Sequence, residues 1–224
     1  MKPNIQDRLN FDLKEVKEFE WLIGMDEVGW GCIAGDLVIG AVAIQKSLLN
    51  NFIPQDDILN KIRDSKKLSA KIRQEIARAL PKEKLDNKLI TAIGQSSVEY
   101  INTHGLALAY DEALKQIIDT LGQQIDLSKT LFLLDGSRVP GFLKNHSINK
   151  NIVIKGDDSS FSIGLASIIA KEYRDDLMTK LHEVHPQYHF ANHKGYGTAE
   201  HIQALKDHGI SSVHRLKGTT TILS

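Results

Sequence analysis

The stretch that decides the fold covers residues 21–44 and reads WLIGMDEVGWGCIAGDLVIGAVAI. It begins with a short apolar run that ends at Asp26, and it closes with residues 37–44, which are rich in β-branched side chains. Gly29, Gly31 and Gly35 lie between the two runs. This pattern predicts two buried strands joined by a glycine-rich connection.

Outward from this stretch, apolar runs and helix signals alternate along the chain. Three further runs predict strands, at residues 88–94, 130–134 and 151–154. Helical periodicity with capping residues predicts helices at residues 69–80, 98–121 and 160–184. This order of elements predicts an α/β protein with a central mixed sheet flanked by helices.

The chain has 224 residues and contains no repeat, low-complexity tract or linker. A chain of this length can bury roughly 70% of the surface that its unfolded form exposes. We therefore predict one domain, residues 1–224. Residues 185–224 are polar and glycine-rich, and we expect them to form a helical and loop-like C-terminal extension.

Charge and composition exclude several classes of protein. The 28 basic and 28 acidic residues cancel, which excludes a strongly cationic nucleic-acid wrapper but leaves room for a local basic groove. Cys32 is the only cysteine, so neither an internal disulfide nor a cysteine-based zinc site can form. The first ten residues lack an apolar signal region, and the longest apolar run has about eight residues against the ~20 of a spanning helix. We expect a cytoplasmic protein.

Acidic residues follow the apolar runs. Asp26 and Glu27 follow the first, Asp135 the fourth and Asp157 the fifth. If these strands share a sheet, the four acids gather at one edge, where Mg²⁺ or Mn²⁺ would relieve their repulsion. Two such ions hydrolyse phosphodiesters without a side-chain nucleophile. The alternative is that the acids only form turns and solvated caps, as in a protein with no catalytic role.

Two other segments have both a functional and a structural interpretation. Gly29 and Gly31 allow close approach of the backbone, whose N–H groups can meet hydroxyl or phosphate oxygens, but they would also suit a tight hairpin turn. Residues 61–73 contain one acid and six bases, which form either a solvated helix face or a phosphate-tracking patch. The bases are Lys61, Arg63, Lys66, Lys67, Lys71 and Arg73.

Six separated blocks resemble the ribonuclease HII family, in the family's order and across roughly residues 22–215. They read GMDEVG (24–29), DSKKL (64–68), LDG (134–136), KGD (155–157), ASIIAK (166–171) and HKGYGT (193–198). The resemblance implies an RNase H-like fold. It also implies endonucleolytic cleavage of the RNA strand of RNA–DNA hybrids and nicking 5′ to ribonucleotides embedded in duplex DNA. Water attack would leave 3′-OH and 5′-phosphate ends.

The same resemblance assigns roles to residues. The four catalytic and metal-binding acids fall on Asp26, Glu27, Asp135 and Asp157, which would hold Mg²⁺ or Mn²⁺. The substrate-binding residues fall on Gly29, Trp30, Gly31, Lys66, Lys67 and Tyr196. Tyr196 would sense the 2′-hydroxyl group, one of the two lysines would face a phosphate, and residues 185–224 would contact substrate. A monomer is implied. Tyr196 could instead simply pack in a surface turn.

The sequence departs from the family pattern next to the first acids. Trp30 replaces an arginine, and Cys32 and Asp36 replace prolines. An apolar ring with one donor replaces a planar cation suited to phosphate. We expect retained chemistry with altered substrate binding, in which Trp30 either stacks on a sugar or base or buries itself.

Two other functions stay open at this level. One is a different RNase H-like metal nuclease, such as a resolvase or transposase core, and the other is a catalytically weakened nucleic-acid binder. The histidine pairs His182–His185 and His189–His193 have no cysteine nearby, so we expect surface roles for them rather than a zinc site.

Overall fold

The computed structural model describes residues 3–51, 68–79, 88–137, 139–144 and 146–223. Five strands form one mixed sheet in the order β3-β2-β1-β4-β5, in which β1 and β2 are antiparallel, as are β2 and β3, while β4 runs parallel to β1 and β5. The strands are β1 (Trp21–Val28), β2 (Leu37–Gln45), β3 (Leu89–Ser96), β4 (Thr130–Asp135) and β5 (Asn149–Val153). The predicted mixed sheet is confirmed.

Helices cover both faces of this sheet. They are α1 (Ile5–Glu15), α2 (Lys46–Asn51), α3 (Ala70–Ala79), α4 (Val98–His104), α5 (Leu106–Gly122), α6 (Gly141–Lys144), α7 (Gly156–Ser159), α8 (Phe161–Val184), α9 (Phe190–His193), α10 (Ala199–His208) and α11 (Leu216–Leu223). One core cluster packs α4 and α5 against one face, and a second packs α1, α3 and α8 against the other. No helix among the described residues is long and apolar enough to cross a membrane.

Helix α8 lies unusually close to the sheet because the strands present glycines to it. A Cβ atom on Gly24 would lie 2.3 Å from the backbone carbon of Ser162, and one on Gly40 would lie 2.4 Å from the carbonyl oxygen of Ala166. Any larger residue at either position would push the helix away. This close packing fixes α8 beside the end of β1 that carries Asp26.

A buried carboxylate fixes the start of α8. Asp12 of α1 is fully buried, and its oxygens accept hydrogen bonds from the Ser160 hydroxyl at 2.6 Å and the Ser162 amide at 2.8 Å. Burial raises the pKa of Asp12 to about 6. The sequence interpretation did not include α1, although Asn4 and Asp7 form a capping box that marks its start.

The structure corrects three local predictions. The helix predicted over residues 98–121 is broken at Gly105, whose φ of 85° ends α4 before α5 begins. Strand β1 extends to Val28, so Asp26 and Glu27 lie within the strand rather than after it. Asp157 lies in the first turn of α7 rather than at a strand end.

The C-terminal residues are helical and loop-like, as expected. They include α9, α10 and α11, and a small apolar cluster joins α9 and α10 to α8 and to Ile33 and Ala34. The assignment of residues 185–224 to a substrate-contacting extension of a single domain stays a prediction.

Candidate active site

The sheet brings the predicted acids to one edge. Strands β1 and β4 are parallel, and Met25 pairs with Leu134, so Asp26 and Asp135 follow at neighbouring positions. The Gly156 amide donates a 2.6 Å hydrogen bond to Asp135 Oδ1, which links Asp135 to the first turn of α7, where Asp157 lies.

The pKa of Asp26 responds to the other three predicted acids. Burial, together with the negative charges of Glu27, Asp135 and Asp157, raises the pKa of Asp26 to about 7, although a hydrogen bond with the Ser167 side chain acts in the opposite direction. The Asp26 carboxylate is therefore within range of the other three predicted acids. A cation at this position would stabilise its ionised form.

The arrangement of the acidic side chains bears on metal binding. Within the described part of the chain, no group of three or more His, Cys, Asp or Glu side chains is arranged to hold a metal ion as it stands. The donor set itself fits Mg²⁺ or Mn²⁺, which prefer carboxylate oxygens. The four acids thus supply suitable ligands at one edge of the sheet, without forming a ready coordination shell.

Asp26 and Glu27 line a cavity of about 200 Å³. The turn from Gly29 to Gly31 and the Tyr196 side chain form other parts of its wall. The structure therefore brings together the glycine-rich turn, the tyrosine and two of the acids, although they are distant in sequence.

The two glycines of this turn differ in what they require. Gly29 has φ of 94°, and a Cβ atom there would lie 2.5 Å from Nε of Arg174, so only glycine fits without strain. A Cβ atom on Gly31 would meet nothing within 4 Å. Packing therefore does not require glycine at position 31, which lines the cavity.

Tyr196 is held against the turn through its backbone. It forms an isolated antiparallel bridge with Cys32, and the preceding Gly195 accepts a 2.9 Å hydrogen bond from the Ile33 amide. Its side chain is 39% exposed, and its pKa is raised by burial and by the neighbouring Cys32. The Tyr196 ring is thus partly exposed, whereas the backbone that carries it is held against the turn by hydrogen bonds.

Trp30 lies between this cavity and a second one of about 510 Å³, which Glu27 and Asp135 also line. The indole is 49% exposed and packs edge-on against Tyr110, with ring centroids 5.8 Å apart and planes at 72°. Burial raises the pKa of Tyr110, so it stays neutral. The Trp30 side chain is therefore half exposed and is held on one side by its contact with Tyr110.

Two polar residues of the first cavity, Ser167 and Lys171, were not predicted from the sequence. They lie four positions apart on α8, and this spacing was the available signal because it puts both on one helix face. Lys171 also forms an ion pair with Asp175. The predicted phosphate contacts Lys66 and Lys67 lie outside the described residues and stay predictions.

The two departures from family prolines have structural roles. The Asp36 carboxylate accepts hydrogen bonds from the Val98 amide at 3.0 Å and from the Gln95 side chain at 2.5 Å, and so ties β3 and α4 to the turn. Cys32 is buried beside Tyr196, where its thiol contacts the Lys194 carbonyl oxygen at 3.8 Å.

The prediction of a surface role is wrong for His193. It is 7% exposed and stacks on the fully buried His201, with centroids 4.2 Å apart. His201 in turn hydrogen-bonds His214 between their Nε2 atoms at 3.1 Å. These rings pack in the core of the C-terminal region. The surrounding sequence is polar and therefore did not predict their burial.

Comparison with known proteins agrees with this geometry. The family model for ribonuclease HII matches residues 23–221. Ribonuclease HII of Chlamydia pneumoniae is 38% identical over 199 residues, which cover 89% of this chain and 83% of that protein. Ribonuclease HII of Clostridium novyi (strain NT) is 36% identical over 220 residues, which cover 98% and 76%.

Solved structures share the fold. RNase HII in its complex with PCNA from Archaeoglobus fulgidus superposes with a TM-score of 0.66 at 24% identity, covering 91% of this chain and 97% of that one. Bst-RNase HIII in complex with Mn²⁺ gives 0.67 at 17% identity, covering 95% and 71%. The chain belongs to the ribonuclease HII family, whose members are metal-dependent endoribonucleases acting on RNA–DNA hybrids.

Proposed function

We propose that this protein cleaves the RNA strand of RNA–DNA hybrids and nicks 5′ to ribonucleotides embedded in duplex DNA. The observation that carries the proposal is the position of Asp26. This partly buried carboxylate is affected by three neighbouring acids and also lines the cavity that contains the glycine turn and Tyr196. Chemistry on a phosphate and recognition of the adjacent ribose therefore fit at one place.

Each acid has a role in the proposal. Asp26, Glu27, Asp135 and Asp157 would hold Mg²⁺ or Mn²⁺ and are the catalytic residues. When bound, these ions supply an activated water and charge stabilisation for the leaving oxygen. The chain's own contribution is to hold the carboxylates in place, through the Ser167 side chain at Asp26 and the Gly156 amide at Asp135. Attack by water gives 3′-OH and 5′-phosphate ends.

Recognition of RNA requires a contact to the 2′-hydroxyl group, which DNA lacks. In the proposal, backbone amides between Gly29 and Gly31 donate hydrogen bonds to this group, and the Tyr196 ring packs against the sugar. Trp30 offers its exposed indole to a neighbouring sugar or base, and Lys66 or Lys67 faces a phosphate. The protein would act as a monomer in the cytoplasm.

A second candidate function is a nucleic-acid binder with weakened catalysis. Two observations favour it: Trp30 replaces the cation expected between the glycines, and the described acids form no ready metal shell. This candidate predicts duplex binding with little cleavage.

A nicking assay separates the two candidates. The substrate is a labelled duplex with one ribonucleotide, incubated with Mg²⁺, Mn²⁺ or EDTA, beside an all-deoxy duplex of the same sequence. The proposed function requires metal-dependent cleavage 5′ to the ribonucleotide only. Binding without nicking in either metal would favour the weakened binder.

A further inference from the structure

Two buried arginines lie beneath the glycine-rich turn. Arg215 is 4% exposed. Its Nη1 donates to the carbonyl oxygens of Gly29 at 2.5 Å and Cys32 at 3.2 Å. Its Nε donates to the carbonyl oxygen of Gly35 at 2.9 Å. The carbonyl oxygen of Trp30 lies 3.4 Å from the same Nη1. One side chain thus contacts four carbonyl groups of the turn.

The second arginine, Arg174, completes this support. It is fully buried and donates to the carbonyl oxygens of Ala34 at 3.0 Å, Asp36 at 2.9 Å and Lys194 at 2.7 Å. No carboxylate in the described part of the chain pairs with either guanidinium. Burying a charge without an acidic partner costs free energy, so the contacts with backbone carbonyl groups must offset this cost.

The planarity of the peptide bond gives these contacts a consequence for the opposite side of the turn. In a trans peptide the C=O and the following N–H point in opposite directions. Since the carbonyl groups of Gly29 and Trp30 face Arg215, the amides of Trp30 and Gly31 point away from it. The described structure records no acceptor for either amide, whereas those of Ile33 and Gly35 bond to Gly195 and Val213.

We infer that Arg215 is a positioning residue for ribose recognition, because it turns the Trp30 and Gly31 amides toward the cavity that takes the 2′-hydroxyl group. The inference rests on the proposed function. It gives the C-terminal region a role in orienting the turn. The backbone there also contacts the turn, because the Arg215 amide donates a hydrogen bond to the Ile33 carbonyl oxygen at 2.8 Å.

The test compares the affinities for two duplexes that differ only in one 2′-hydroxyl group, measured by fluorescence anisotropy in EDTA. For Arg215→Met, we expect the ratio of the two dissociation constants to fall by about tenfold, since contacts to the hydroxyl group are lost while phosphate contacts remain. A folded variant with the unaltered ratio would overturn the inference.

A matched control separates positioning from general destabilisation. Leu121 is fully buried in the last turn of α5, so Leu121→Ala opens a cavity in the core and should lower stability yet keep the wild-type ratio. A loss of selectivity in this control as large as that in Arg215→Met would also count against a specific role for Arg215.

Two further measurements cover a variant that fails to fold. Arg215→Lys keeps the charge but loses the planar fork, and a reduction of the ratio by at least about threefold is expected. In the unaltered protein, the amide resonances of Trp30 and Gly31 should shift with the ribonucleotide duplex and not with the all-deoxy one. Equal shifts would overturn the inference, whereas absence of nicking by the wild type would contradict the proposed function itself.

Discussion

The indole of Trp30 meets the buried ring of Tyr110 edge-on, with 5.8 Å between the centroids. This contact fixes one edge of Trp30 and leaves half of the side chain exposed beside Glu27. The substitution at this position therefore replaces a planar cation with an anchored aromatic surface. Such a surface stacks on a sugar or base with little loss of conformational entropy.

Trp30→Arg tests that difference in binding. We expect tighter binding of an RNA–DNA hybrid and a steeper salt dependence, by about one phosphate contact, because an added cation releases one more counterion. Anisotropy titrations in EDTA over a salt series measure both. Affinity that is unchanged at every salt concentration would remove the idea, and Trp30→Phe serves as the uncharged aromatic control.

Asp135→Asn tests the assignment of the acids. We expect divalent-dependent cleavage to fall by at least about 10³-fold, since one metal-binding charge is lost. The fold should be intact because an amide oxygen can still accept from Gly156. Rates are measured with Mg²⁺ and Mn²⁺, and circular dichroism checks the fold. A folded variant that still cleaves would eliminate the assignment.

Tyr196→Ala and Tyr196→Phe divide the role of this side chain into ring packing and hydroxyl bonding. Tyr196→Ala should slow cleavage at a single ribonucleotide by about 10²-fold, whereas Tyr196→Phe should lose only the share due to one hydrogen bond, about tenfold. Single-turnover rates on the same duplex make the comparison. Wild-type rates in Tyr196→Ala would show that the ring has no part in recognition.

Gly31→Ala should impair substrate binding without destabilising the protein. A methyl group at this position meets nothing within 4 Å, so we expect the free energy of unfolding to change by at most about 1 kcal/mol. The same methyl group enters the substrate cavity and should raise the dissociation constant about tenfold. Gly29→Ala is the contrasting control, because its φ of 94° and its contact with Arg174 predict lost stability.

The buried histidines predict acid sensitivity. His201 Nδ1 bonds the Tyr196 carbonyl at 2.9 Å, so its Nε2 accepts from His214, and neither ring has room for a second proton. Burial lowers both pKa values to about 4. Their stabilising contribution is therefore complete above the unfolded pKa of about 6.5 and is lost as the pH falls towards 4.

Urea unfolding at pH 7.5 and pH 5 tests this contribution. Between these two pH values the free energy of unfolding should fall in His201→Gln by a smaller amount than in the wild type, with a difference of at least about 1 kcal/mol. The comparison is made between variants because Asp12, with its pKa raised to about 6, titrates with the opposite sign in both proteins. Identical pH dependence in the two proteins would contradict the prediction.

Local sequence signals were sufficient for the five strands and for the longest helix. The Ser160 cap and the periodicity after it correctly located α8, and the apolar runs located all five strands to within a few residues. The same signals failed at Gly105, where a continuous helical pattern conceals a residue with positive φ. They also failed for His193, because side-chain burial depends on partners such as His201 that the local sequence does not name.

The sequence by itself determined the chemistry that is available: the four carboxylates, the glycine-rich turn around Gly31, the aromatic residue at position 30 and the family to which these motifs belong. Only the tertiary structure decided how these groups are oriented. Residue 215 contacts the turn at residues 29–35 through hydrogen bonds that span 180 to 186 positions, and the direction of a backbone amide follows from where its neighbouring carbonyl group finds a donor. Such long-range contacts arise only when the chain has packed.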